Sequence, residues 1–168
     1  PEAQSFLDVG TGSGVIALTL ALERPTASIS ACDLSSQALE LAAENRARHG
    51  LDDRVRLLES DLLTMVDGAF DAIVANLPYI PTAEIAGLSS EVHHDPVSAL
   101  DGGEEGLVLI DRLSEQAGRR ITAAGLLALE IGHDQAPRVE EILRGRGFCE
   151  IATHNDHQGV GRFVTART

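Results

Sequence analysis

Residues 5–23 read SFLDVGTGSGVIALTLALE. An apolar strand-like run, Ser5–Val9, meets glycines at 10, 12 and 14, and a helix-patterned run, Val15–Glu23, follows at once. Glycine adopts backbone conformations closed to other residues. Gly10, Gly12 and Gly14 therefore let a strand turn straight into a helix and leave room for a ligand at the helix N-terminus. A strand feeding a helix in this way begins a βαβ unit, which points to a parallel sheet.

The alternation continues. Ala27–Cys32 reads as a second strand, and Ser35 or Ser36 caps a helix running to His49 and stopping at Gly50. Arg54–Glu59 and Phe70–Ala75 supply strands three and four. Residues 76–105 form a long loop with Pro78, Pro81, Pro96 and a turn at Asp101–Gly103, and a loop of that length marks function. Gly106–Ile121 reads as a helix, 125–132 as strand five, and Asp134–Arg146 as a helix with Val139, Ile142 and Leu143 on one face. Phe148–Thr153 and Arg162–Ala166 flank a polar turn as a hairpin. The expected fold is α/β: a mostly parallel seven-stranded sheet with a C-terminal antiparallel hairpin and helices on both faces. Such sheets bind ligands outside the carboxyl ends of their strands.

Charge narrows the partners. Thirteen Lys and Arg against 26 acidic residues give a net charge of −13, which repels a phosphate backbone, and 3% aromatic residues leave no base-stacking platform. Direct nucleic-acid binding is thus not expected, and a small molecule or a protein is. No apolar run approaches the roughly 18 residues of a membrane span, and no basic n-region opens the chain, so a cytoplasmic protein is expected. Cys32 and Cys149 lie in strand-like segments without metal-ligand spacing and read as reduced core residues. At 168 residues a single domain is expected. Because Pro1–Ser5 lead straight into what reads as a central strand, this domain is expected to be cut from a longer polypeptide.

The glycine spacing separates three chemistries. A P-loop requires Gly-Lys-Ser/Thr, which is missing, and a dinucleotide fingerprint requires glycine where Val15 stands. The G-x-G-x-G pattern of Gly10, Gly12 and Gly14 instead resembles motif one of the class I S-adenosylmethionine (SAM)-dependent methyltransferases, which have a Rossmann-like fold. Asp33 ends the second strand, where a carboxylate can accept both hydroxyl hydrogens of an adenosine ribose; it could equally cap the next helix. By the same likeness Asp61 approaches the adenine, Leu62 packs on its face, and Asp8 meets the amino end of the cofactor. Thr11, Ser13 and Leu34 complete the expected cofactor set. Buried acids near glycine loops also serve as loop anchors, a competing role for Asp8.

The fourth strand stops at Asn76-Leu77-Pro78-Tyr79, which contains the single tyrosine. This segment resembles the Asn-Pro-Pro-Tyr signature of enzymes that methylate planar nitrogens. Such a nitrogen is a weak nucleophile because its lone pair is delocalised. Two acceptors, the Asn76 side-chain oxygen and the Leu77 carbonyl, can hold its two hydrogens and aim the lone pair at a methyl donor. Pro78 fixes the turn and Tyr79 offers a flat face. The plain alternative is a turn after an edge strand.

"EVHHDPVSALDGGEEGL" (91–107), "LALEIGHDQ" (127–135) and "NDHQGVGRFV" (155–164) extend the likeness along essentially the whole chain. Together these motifs resemble the HemK/PrmC family, the protein-(glutamine-N5) methyltransferases of peptide-chain release factors. The resemblance implies SAM as donor, S-adenosylhomocysteine as product, no metal, and a release factor's Gly-Gly-Gln loop as acceptor. It implies contacts from Gly10–Gly14, Asp33, Leu62 and Asn76 to SAM, with Asn76–Tyr79 holding the glutamine. It also implies an N-terminal helical recognition domain, absent from these 168 residues. Where the family usually has proline, this chain has Leu77, which keeps the main-chain acceptor but loosens the backbone and adds an N–H.

Other clusters carry less. His93–Asp95 and His154–His157 lack a second metal-type cluster and read as solvated loops. Glu104–Glu105 reads as a helix N-terminal charge preference, and Arg144–Gly147 as a helix end. Two alternatives to the glutamine reading stand at this point: a methyltransferase for adenine or another nucleic-acid amine, and a SAM-binding module without catalysis.

Overall fold

The computed structural model describes residues 4–87, 96 and 99–168. The first strand, β1, spans Ser5–Val9 and passes through the glycine loop into α1, Val15–Glu23. Then come β2 (Ser28–Asp33), α2 (Ser36–Arg48), β3 (Val55–Glu59) and β4 (Phe70–Asn76). After β4 lie a four-residue helix, α3 (Thr82–Ile85), and then α4 (Val108–Ala117), β5 (Ile121–Glu130), α5 (Ala136–Gly145), β6 (Cys149–Asn155) and β7 (Gly161–Arg167). One seven-stranded sheet runs in the order β3-β2-β1-β4-β5-β7-β6. Its first five strands pair in parallel, and β7 pairs antiparallel with both β5 and β6. The expected doubly wound sheet with a C-terminal hairpin is borne out.

Alternation along the strands explains the layers. Phe6, Ile29, Ala31 and Ala72 face α1, packing on Ala17, Leu18 and Ala21. Leu7, Val9, Ile73, Ala75, Leu127 and Leu129 face the other way, toward Ile110 and Leu113 of α4 and Val139 and Leu143 of α5. Each such fully buried Leu or Ile contributes about 1.5–3 kcal/mol by leaving water. The strand order reverses between β1 and β4, which opens a crevice at their carboxyl ends.

Local signals set the element ends. Ser35 is the N-cap of α2, its hydroxyl accepting the Ala38 N–H at 3.2 Å. The helix closes on Gly50 at φ 64°, where Gly50 N–H bonds the Ala47 carbonyl and Leu51 N–H the Arg46 carbonyl.

Four expectations need correction. The helix read over Gly106–Ile121 is shorter, Val108–Ala117, because Ile121 already pairs with Phe70 as the start of β5. An irregularity then shifts the register, so that Leu126 partners Ala72, with Ala124 at φ 61°. The alanine-rich "ITAAG" favours helix by propensity, but pairing with a central strand overrides it. Likewise 131–132 lie past the end of β5. Cys149 is exposed rather than in the core, because it opens the edge strand β6; only Cys32 is buried. His154 and Asn155 belong to β6 rather than to a loop, while Asp156 accepts the N–H groups of Gln158 and Val160 at 2.8 and 3.0 Å and anchors the turn. Residues 93–95 lie outside the described residues.

Candidate active site

The glycine loop is clamped to the end of β2. Gly10 and Thr11 both donate to the Cys32 carbonyl, at 2.9 and 3.0 Å. Gly12 donates to Asp33 Oδ2 at 2.8 Å, and Ser35 N–H to Asp33 Oδ1 at 2.9 Å. A carboxylate offers about four lone pairs, so Asp33 keeps acceptor capacity on both oxygens. Gly10 and Gly12 sit at φ 69° and 55°, where a side chain is strained. Above Gly12 the space is open, since a Cβ there would meet nothing within 4 Å. From behind, Asn45 of α2 donates to the Ser13 carbonyl at 3.0 Å, and Gly14 lets Ala42 come close.

Asp8 lies beneath the loop with no solvent exposure. Its Oδ2 accepts from Thr11 Oγ1 at 2.6 Å and Ala17 N–H at 3.1 Å, which makes it a loop anchor. Among the described residues, its Oδ1 has no hydrogen-bond partner. Burial pushes the Asp8 carboxyl up to about 6, against the Thr11 and Ala17 hydrogen bonds, with Asp33 nearby adding to the rise.

Leu34 follows Asp33 and stands 68% exposed at the crevice. Asp61 pairs with Arg112 of α4 at 2.7 Å, and the neighbouring Leu63 N–H donates to Gln116 of the same helix at 2.8 Å. Leu62 sits between them at φ 51°, buried, with its carbonyl accepting the Cys32 thiol at 3.4 Å.

The Asn76–Tyr79 segment begins at the end of β4, which lies between β1 and β5 and is not an edge strand. Asn76 is exposed and stands in register with Glu130 of β5. Leu77 is buried, and its Cδ2 would lie 2.8 Å from a Cβ built on Gly10. The Asn76–Tyr79 segment and the glycine loop therefore touch, and only glycine at position 10 allows it. Pro78 rests its carbonyl against Gly102, and the Tyr79 ring crosses Gly132. Ile80 is bracketed by the 100–102 segment, its N–H donating to Leu100 and its carbonyl accepting from Gly102. Among the described residues, no hydrogen bond engages the Asn76 side-chain oxygen or the Leu77 carbonyl.

Two residues in this region carry more than the sequence indicated. Asp101 accepts from Thr82 Oγ1 at 2.6 Å and Gly103 N–H at 2.9 Å, which together hold its carboxyl below the usual range. Gln135 donates to the Tyr79 carbonyl at 2.9 Å and accepts from Gly132. The Asp101–Gly103 turn was legible in the sequence, but the bonds to Thr82 and to the Tyr79 carbonyl span 19 and 56 residues and gave no signal. Glu105 precedes α4 and pairs with Arg138 of α5, so it does not serve the helix N-terminus as expected. Arg144–Gly147 does end α5. Among the described residues, no three His, Cys, Asp or Glu side chains cluster to hold a metal, and no helix is long and apolar enough to cross a membrane.

This sheet, with its glycine loop and acidic strand ends, is the class I SAM-dependent methyltransferase fold. The crystal structure of ribosomal protein L11 methylase from Lactobacillus delbrueckii subsp. bulgaricus matches 99% of the chain and 69% of that protein, with TM-score 0.67 and 26% identity. The chain belongs to the methyltransferase small domain family, whose model matches residues 1–117. That membership implies use of SAM. The likeness to the glutamine methyltransferases is borne out as well. A release factor glutamine methyltransferase of Agrobacterium fabrum is 43% identical over 163 residues, 96% of this chain and 56% of that protein. A ribosomal protein uL3 glutamine methyltransferase of Bordetella pertussis is 42% identical over 135 residues, 80% of this chain and 45% of that protein. The chain spans about half the length of the curated relatives it matches.

Proposed function

We propose that the protein transfers a methyl group from SAM to the side-chain amide nitrogen of a glutamine in a peptide-chain release factor, and that residues 1–168 form its single catalytic domain. The observation that carries this reading is the pair of available acceptors, Asn76 Oδ1 and the Leu77 carbonyl, on a segment packed against the glycine loop.

The residues fit the cofactor. The open space over Gly12 and the spare lone pairs of Asp33 suit a ribose, and exposed Leu34 suits the face of a purine. The unpartnered Oδ1 of Asp8, with its raised carboxyl, suits the ammonium end of an amino acid. Thr11 and Ser13 shape the loop, Gly10 and Gly14 give it close approach, and Asp61 and Leu62 bound the purine side. SAM supplies an activated methyl whose sulfonium accepts the electron pair of the broken C–S bond and leaves as S-adenosylhomocysteine. Asn76 and Leu77 hold the two amide hydrogens of the glutamine, which draws its lone pair out of conjugation. Pro78 fixes the turn and Tyr79 lies along the flat amide. As the N–C bond forms, one of the two held hydrogens is released to solvent as a proton. Positioning of this kind supplies on the order of 7–11 kcal/mol, with no strong base required.

The acceptor is placed by its planar amide; the protein carrying it is a separate matter. Relatives named for release factors and for ribosomal protein uL3 are 43% and 42% identical to this chain, which supports a glutamine amide as acceptor and leaves its carrier to the test below. The greater number of relatives named for release factors supports that target. The net charge of −13 speaks against a nucleic-acid substrate, and action on a translation factor would place the protein in the cytoplasm. Incubating the full-length protein with SAM and a release factor should add one methyl, mapped by mass spectrometry to the Gly-Gly-Gln glutamine. Methylation of uL3 alone would move the target, and SAM binding with no protein methylated would overturn the reading.

A further inference from the structure

Gln135 stands at the N-cap position of α5, yet its side chain makes no capping bond to its own helix. The amide reaches back across the sheet end instead. Its Oε1 accepts the Gly132 N–H at 2.8 Å, while its Nε2 donates to the Tyr79 carbonyl at 2.9 Å and the Glu105 carbonyl at 3.2 Å. One side chain thus ties the strand after which it comes, the acceptor segment and the approach to α4. The packing leaves no slack at this junction. A Cβ at Gly132 would lie 2.8 Å from Gln135 Oε1 and 3.2 Å from the Tyr79 ring, and one at Gly106 would run into the Tyr79 carbonyl. An amide is the only uncharged side-chain group with an acceptor and two donors, and here all of these roles are used.

We propose that Gln135 is a positioning residue for the acceptor segment, setting the direction of the Leu77 carbonyl through Tyr79. The inference rests on the glutamine-methyltransferase reading. Between its two ends the segment is short: Leu77 is pinned on Gly10, Pro78 has a fixed φ, and the Tyr79 carbonyl is held by Gln135. With both ends fixed, the peptide plane carrying the Leu77 carbonyl has no freedom to turn. Released at Tyr79, that carbonyl swings, and a misplacement of about 1 Å costs up to a hundredfold in rate. The glycine loop and Asp33 lie on the β1 side of β4 and stay intact.

The test uses the full-length protein with Gln135→Leu and Gln135→Glu, a Gly-Gly-Gln acceptor, calorimetric SAM binding, and amide hydrogen exchange at Tyr79 and Ile80. For Gln135→Leu the expected result is unchanged SAM affinity, kcat down about tenfold to a hundredfold, and faster exchange at both amides. Gln135→Glu distinguishes positioning from mere packing. Ionised, it accepts from Gly132 but opposes the Tyr79 and Glu105 carbonyls; protonated, it donates again. Its rate relative to the parent should therefore climb as pH falls from 8 toward 5. Taking the ratio cancels titration of His133, Asp134, Glu105 and Arg138, which surround the position in both proteins. A Gln135→Leu protein with parental kcat, or one losing SAM affinity and kcat together, overturns the proposal, as does a Gln135→Glu ratio flat in pH. If the parent itself methylates no glutamine, the functional reading fails. The positioning role is then decided by exchange alone, and unchanged rates at Tyr79 and Ile80 would end it.

Discussion

The two halves of the crevice are held by different means. At the β1–β2 side, the glycine loop is fixed by its own backbone and by strand-end groups close at hand: two N–H bonds to Cys32, one to Asp33, and a buried carboxyl beneath. At the β4–β5 side, the Asn76–Tyr79 segment is fixed by residues far along the chain, Gly102, Gly132 and Gln135. The first half is held by a single neighbouring strand end about 21 residues on, and its backbone is committed to left-handed turns. The second depends on three loops meeting, so it can be loosened without disturbing the first. Leu77 against Gly10 is the contact through which the halves touch.

The largest effect should come from Asn76→Ala. Losing one preorganised acceptor costs about 10²–10³ in turnover, measured under single-turnover conditions, while SAM affinity measured by calorimetry stays within a few-fold. A parallel fall in both would mean the halves are not separable. Gly10→Ala should instead strike both halves, because it strains a backbone at φ 69° and pushes on Leu77. A stability loss of about 1–3 kcal/mol in chemical denaturation is expected, and adding Leu77→Ala should relieve the clash but not the strain.

Asp8→Asn tests the local half through pH. The folded carboxyl is raised to about 6 from an ordinary value near 3.8. Between those values the folded state holds a proton that the unfolded chain has lost, so stability falls as pH rises through this window. Asn does not titrate. Its stability should therefore gain on the parent as pH climbs from 4 to 6, by on the order of 3 kcal/mol at neutrality, at the expense of SAM affinity. The smallest effect belongs to Arg112→Ala. Its ion pair with Asp61 is half-exposed, so stability should change by less than about 1 kcal/mol and SAM affinity by a few-fold at most.

That same division governs what could be read in advance. Ser5–Val9, Val15–Glu23 and the turn at Gly50 match the pattern because glycine placement and apolar spacing act over a few residues. That Asp33 ends β2 and Asn76 lies at the end of β4 was legible because the apolar runs stop there. The start of β5 at Ile121 was not, since its alanines look helical until Phe70 is beside them. Nor was the exposure of Cys149, which depends on β6 lying at the sheet edge. Gln135 was hidden for a further reason: it is bonded to a carbonyl 56 residues away, and no spacing rule records a main-chain partner. Leu77, read as a loosening of the turn, also buries its side chain against Gly10, which only the packing could reveal.

If the function is as proposed, Asn76 Oδ1 and the Leu77 carbonyl face the open space over Gly12. A crystal structure of the full-length protein with S-adenosylhomocysteine and a glutamine peptide measures this directly. Asn76 Oδ1 and the Leu77 carbonyl should each lie within about 3.2 Å of the glutamine nitrogen, with that nitrogen facing the sulfur. A glutamine bound elsewhere, or those oxygens turned from the adenosine, would contradict the account.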